Sequence, residues 1–179
     1  IVSTILALAV VAIWVAKPYV ATHNFALVLA IAGISAELGF ALSFTTVLIL
    51  LAILSVYDVI AVYQTKHMIK MFTGLMEKGL LLSLVVPIRR DNWFAKTETV
   101  RPHKGFLLLG TGDLAFPLIF AIAALKYSLT SALFIAGGAT IGAALVFYLL
   151  THQQQKRAIP ALPPIAICSI LGFLASLLI

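Results

Sequence analysis

Six apolar runs take up most of this chain, at residues 1–16, 19–36, 38–63, 105–126, 131–150 and 159–179. A helix needs about 20 residues, at about 1.5 Å of rise each, to cross the hydrocarbon of a bilayer. Each run meets or approaches that length. A backbone immersed in lipid must satisfy its own hydrogen bonds, so runs of this kind fold locally as helices. The expected fold is an all-α polytopic membrane protein with six transmembrane helices. The first is short, and Ile1 opens it in mid-run without a recognisable signal peptide, which suggests a preceding N-terminal piece. Composition excludes the soluble alternative: 63% of the 179 residues are hydrophobic and 10% charged, too few charges to cover a globule.

One polar interval breaks the pattern and divides the chain into three parts: three spans over 1–63, a basic loop over 64–104 and three spans over 105–179. Within the loop, residues 79–88 (GLLLSLVVPI) are apolar but too short to cross, and their Val and Leu content before Pro87 leaves room for a short β element. The net charge of +6 points to membrane topology rather than to nucleic acid. If the loop is cytoplasmic, counting spans outward puts Lys17, Lys156 and Arg157 on the same side. Only Lys126, of the twelve basic residues, then faces out, as the positive-inside rule requires. Cys168 is the single cysteine, lies in an apolar run, and reads as a packed thiol.

Two of the six carboxylates stand where carboxylates are expensive. Asp58 and Asp113 lie inside apolar runs, whereas Glu77, Asp91 and Glu98 lie in the loop and Glu37 in an expected turn. An intramembrane acid costs about 2.5–3.5 kcal/mol at a helix centre on insertion scales and points to function. Gluing helices together is the plain structural alternative. Depth favours function. Asp58 lies about 8 Å, and Asp113 about 12 Å, inward from the face that carries the long loop. If their helices touch, the carboxyls meet. A facing pair in low dielectric cannot easily ionise twice, so it should share a proton near neutral pH. That state suits amide hydrolysis, one carboxylate taking a proton from water while the other carboxyl polarises the carbonyl.

The flanking residues agree. Gly110, Thr111 and Gly112 precede Asp113, and two glycines remove side chains where a substrate backbone would approach. Pro117 should distort the helix that follows. Pro160, Ala161, Leu162, Pro163 and Pro164 open the last run, and three prolines in five residues argue for irregular backbone at the same membrane face.

These motifs resemble the GxGD intramembrane aspartyl proteases, the presenilin and signal peptide peptidase family. The YD motif matches Tyr57-Asp58, the GxGD motif Gly110 to Asp113, and the PAL motif Pro160-Ala161-Leu162, in the family's order. The resemblance implies that Asp58 and Asp113 are the catalytic pair. It implies that Tyr57, Gly110, Thr111, Gly112, Pro160, Ala161 and Leu162 shape the active site or bind substrate. Members have nine spans, so the six here correspond to the fourth to ninth. The implied protein is an archaeal homologue in a prokaryotic cell membrane that cuts transmembrane helices of other proteins, with no cofactor, metal or obligate partner subunit. Thr111 departs from the Leu common at its position, which bears on substrate preference.

An extended substrate would pair with part of 79–88 or with 106–109 as an added strand. Other chemistries find less support. No HExxH or GxSG string occurs, and His23, His67, His103 and His152 lie scattered near expected loops. Gly138 and Gly142 form a GxxxG pair that reads as a packing face. The rival class is a proton- or cation-coupled transporter or channel using the same two acids, though no inverted repeat relates the halves. A structural scaffold leaves both acids unexplained.

Overall fold

Helix α1 (Val20–Ala41) is followed by helix α2 (Phe44–Ile60), and strand β1 (Ser83–Pro87) follows in the loop. Strand β2 (Phe106–Gly110) leads directly into α3 (Thr111–Ala124), which is followed by α4 (Leu129–His152) and α5 (Leu162–Ser176). The computed structural model describes residues 8, 10–12, 14–65, 74, 81–88, 90–101, 105–153 and 159–178. Much of the first expected span, most of the loop cations and the Lys156–Arg157 pair lie outside the described residues.

Three helices are long and apolar enough to cross a membrane: Val20–Ala41, Phe44–Gln64 and Leu129–His152. Thr111–Ala124 and Leu162–Ser176 are shorter apolar helices. The shortfall against the expected spans has a local cause at each. The run that opens at Gly105 spends its first residues on β2, so its helix starts at Thr111. The last run keeps Pro160 and Ala161 outside the helix. Pro163 and Pro164 then fall in the first turn of α5, where a missing N–H leaves no helical acceptor unpaired. The prolines therefore delay the helix rather than deform it. The break between α1 and α2 falls at Leu42, not at Glu37: Leu42 is extended, and Ser43 caps α2 by accepting from Thr46 N–H at 3.2 Å.

Helix α3 is the hub, packing against α1, α2, α4 and α5. Its Ile119, Phe120, Ala121, Ala123 and Ala124 join Val47 and Leu51 of α2, Ala132 and Ile135 of α4, and Leu162 and Ala166 of α5. Phe120 is fully buried and stacks on Phe44 at 5.0 Å. Close approach to α1 depends on Gly39, where a Cβ would stand 2.6 Å from Ile122 Cγ2. The largest helix interface is α4 with α5, and Gly138 and Gly142 make it. A Cβ on Gly142 would meet Ile165 Cα at 2.6 Å, and one on Gly138 would collide with the Cys168 carbonyl. That is the packing face read from GxxxG. Away from these contacts the helices present exposed apolar side chains such as Phe25, Ile34, Ile53, Val56 and Leu145, the surface that lipid covers.

The sheet sits at one end of the helices. β1 and β2 pair antiparallel with Ser83 opposite Gly110 and Val85 opposite Leu108. Gly105 turns the chain into β2 at φ 87°, a conformation that glycine adopts without strain. Val20, Val85, Val100 and Phe106 bury together beneath the sheet. The loop is tied to the start of α1, with Val20 N–H donating to Ala95 O at 3.0 Å and Thr97 N–H to Pro18 O at 2.9 Å. At the opposite end, Lys126 Nζ donates to Leu42 O at 2.8 Å, placing a cation at the C-terminus of α1.

Candidate active site

Each acid is held by backbone, and each by a different segment. Asp58 lies two residues from the end of α2, where the helix passes into a π-turn over Ala61–Thr65. It is 6% exposed. Its Oδ2 accepts from Leu162 N–H at 3.1 Å, and the Ala161 amide also points at the carboxyl. Both donors come from the PAL segment. They are available because Ala161 and Leu162 stand at the start of α5, where N–H groups have no helical acceptor. The delayed start of the last helix thus supplies the donors that Asp58 uses.

Asp113 occupies the third position of α3 and is 9% exposed. Gly110 is the N-cap residue, and its amide points at the Asp113 carboxyl. An acid in that position reaching back to the N-cap amide is half of a capping box, in the turn where a helix favours negative charge. A Cβ on Gly110 would lie 2.9 Å from Asp113 Oδ2. The first glycine of the motif therefore clears space for the acid itself. A Cβ on Gly112 would stand 3.6 Å from the Phe116 ring, an ordinary contact, so the second glycine is not demanded by packing. Pro117, buried inside α3, removes the N–H that would have bonded the Asp113 carbonyl.

The two carboxyls lie within coulombic reach of each other. α2 and α3 pack side by side, and α5 packs on both, so Asp58, Asp113 and Leu162 converge at the sheet end of the bundle. Of the residues singled out from sequence, Gly110, Asp58, Asp113, Ala161 and Leu162 belong to this convergence, and Pro160, buried, immediately precedes the two PAL amides. Thr111 and Gly112 form the first turn of α3, both half-buried. Tyr57 differs: it is 61% exposed on the outer face of α2, on a different side of the helix from its neighbour Asp58. Among the described residues, no group of three or more His, Cys, Asp or Glu could hold a metal ion.

Three polar residues near this site were not picked out from sequence. His23 and Asn24, 4% and 8% exposed, lie in the first turns of α1 and bond the backbone of β1. Their signal was there to read, two adjacent polar residues within an apolar run. Ser83 is fully buried, opposite Gly110, and its hydroxyl has no hydrogen-bond partner among the described residues.

A family model described as signal-peptide peptidase, presenilin aspartyl protease matches residues 1–179. A solved structure of a presenilin family intramembrane aspartate protease, in the C222 space group, superposes with a TM-score of 0.62 at 26% sequence identity. The match covers 95% of this chain and 58% of that one, so this chain spans somewhat over half the length of the solved relative. No curated protein matches the chain.

Proposed function

We propose, from the premise that this chain belongs to the signal-peptide peptidase and presenilin aspartyl protease family, that it hydrolyses peptide bonds within the membrane through Asp58 and Asp113. The observation that carries this reading is the approach of two buried aspartates from separate helices, one of them held by the PAL backbone. One carboxylate takes a proton from a water whose oxygen attacks the scissile carbonyl carbon. The other, protonated, gives its proton to the carbonyl oxygen, forming a neutral gem-diol. On collapse the carboxyl that took the water's proton gives it to the amide nitrogen. The other carboxylate takes a proton back from a gem-diol hydroxyl as the C–N bond breaks, and the pair is left with one proton as it began. Rate then falls at low pH, where both carboxyls are protonated, and at high pH, where both are ionised.

The substrate is a transmembrane helix of another protein, unwound near the cut so that its amides are accessible. The outer edge of β2 is the docking edge we assign to it. Among the described residues no strand pairs with that edge, and it leads into α3 three residues before Asp113. The loop end of the molecule faces the cytoplasm of a prokaryotic cell in this reading. Its support is the basic loop, set against Lys126 at the opposite end beside Leu42.

The deciding experiment is cleavage of a purified single-span substrate by the intact protein in lipid. Wild type is compared with Asp58→Asn and Asp113→Asn. Each substitution alone should abolish cleavage in a folded protein, and a peptidic mimic of the gem-diol should block wild type. Cleavage that persists in either variant overturns the dyad and moves proton-coupled transport ahead.

A further inference from the structure

An antiparallel pair of strands has two outer edges, and either is a template for another strand. In this molecule they are unlike. Asn24 Nδ2 donates to Val85 O at 2.6 Å, and Val85 N–H donates to Asn24 Oδ1 at 3.0 Å. A side-chain amide carries one carbonyl and one N–H in the arrangement of a peptide unit, so Asn24 meets Val85 as a one-residue strand. Beside it, His23 Nε2 bonds Ser83 O at 3.2 Å, and Trp14 packs on the His23 ring with centroids 6.2 Å apart. The outer edge of β1 is closed from Ser83 to Val85 by two buried side chains of α1.

The register fixes what this does to the other strand. Val85 turns its N–H and C=O toward Asn24, away from β2, so its pairing with Leu108 is of the type in which neither residue bonds the other. Leu108 therefore turns its own N–H and C=O away from β1. Gly110 opposite Ser83 does so too, but its amide is aimed at the Asp113 carboxyl, so the groups left open to a substrate here are those of Leu108. Leu108 lies about 7 Å before Gly110 along β2, at 3.3–3.4 Å per residue. Gly110 is the N-cap of the helix that carries Asp113, so the open edge runs straight to the acid.

We propose that Asn24 is a positioning residue: by sealing β1 it sends an extended substrate to the edge of β2 alone, in one register relative to Asp58 and Asp113. The proposal rests on the protease reading above. A strand must keep its alternate side chains on the same faces, so when the sheet is loosened the allowed slip is about two residues. Loss of the seal should move cuts by that interval, whereas a merely structural role would lower all cuts in proportion.

The test uses Asn24→Leu, which removes both bonds at similar volume, and Asn24→Asp, which keeps an acceptor for Val85 N–H but sets an oxygen against Val85 O. Cleavage positions are read by mass spectrometry on a single-span substrate. Amide exchange of the 83–87 strand is read separately in an inactive Asp113→Asn background. In Asn24→Leu we expect about a tenfold fall in the main cut, a loss of the order of two hydrogen bonds. New products displaced by about two residues should appear, with faster exchange at Val85, and Asn24→Asp should fall between. If Asn24→Leu does not fold, Asn24→Asp carries the test alone. An unchanged ratio of products in a folded variant, or unchanged exchange at Val85, overturns the proposal. If wild type cuts nothing, it is the protease reading that falls, and the exchange measurement still judges the seal.

Discussion

The backbone N–H of Leu162 donates to Oδ2 of Asp58 at 3.1 Å, across 104 residues of chain. The bond gives the PAL segment a physical task, to hold one acid by main chain. Substitutions at Asp58 should separate catalysis from stability. Asp58→Asn keeps an oxygen for Leu162 N–H and should leave thermal stability within about 1 kcal/mol of wild type. Asp58→Ala strands that N–H in a buried site and should cost about 1–3 kcal/mol. Both should be inactive. Equal melting temperatures for the two would mean that the bond contributes nothing.

The glycines flanking Thr111 should not be equivalent. Gly110→Ala brings a Cβ to 2.9 Å from Asp113 Oδ2 and must displace the carboxyl, so cleavage should fall by about 100-fold or more, the scale of a mispositioned acid–base group. Gly112→Ala meets only the Phe116 ring at 3.6 Å. It should retain activity and gain up to about 1 kcal/mol from helix propensity. Kinetics and melting curves on the two variants decide this, and equal loss of activity would count against it.

Proline scanning of the sheet should be asymmetric. Val85 N–H is bonded to Asn24 and its side chain is fully buried, so Val85→Pro should destabilise the fold by about 3 kcal/mol. Leu108 N–H faces the outer edge of β2, where proline is tolerated. Leu108→Pro should keep the protein folded and lower kcat/KM by about fivefold to tenfold, the loss of one hydrogen bond offered to substrate. Undiminished cleavage by folded Leu108→Pro would remove β2 as the docking edge.

Activity should also depend on the α4–α5 interface, far from the acids along the chain. Gly142→Ala places a Cβ 2.6 Å from Ile165 Cα, one turn from Leu162, and overpacking of this kind costs about 1–3 kcal/mol. Because α5 carries the amide that holds Asp58, cleavage should decline with stability. Gly137→Ala, with nothing within 4 Å of the added Cβ, is the matched control and should leave both unchanged.

The sequence by itself determined the broad class of fold and marked the candidate acids, and the reason is energetic. A run of apolar residues in lipid has few ways to satisfy its backbone, so α1, α2 and α4 were legible from composition alone. Asp58 and Asp113 stood out for the complementary reason, that carboxylates in such runs are costly. What the sequence left open were the places where backbone groups find partners distant in the chain. Residues 105–110 are as apolar as the helix after them, and only pairing with 83–87 makes them a strand. Pro160 to Pro164 signalled a disturbance without saying that its product would be a free amide at Leu162 aimed at Asp58. Tyr57, marked by its motif, turned outward because a helix separates successive residues by about 100°, from 3.6 residues per turn, and one of the two had to face away. Asn24 drew no reading and His23 was placed only among the histidines scattered near expected loops, since their partners lie about 60 positions away in a strand that only the tertiary structure brings to them. Local rules set which segments are helices and which groups are expensive; the fold alone decided which of those groups meet.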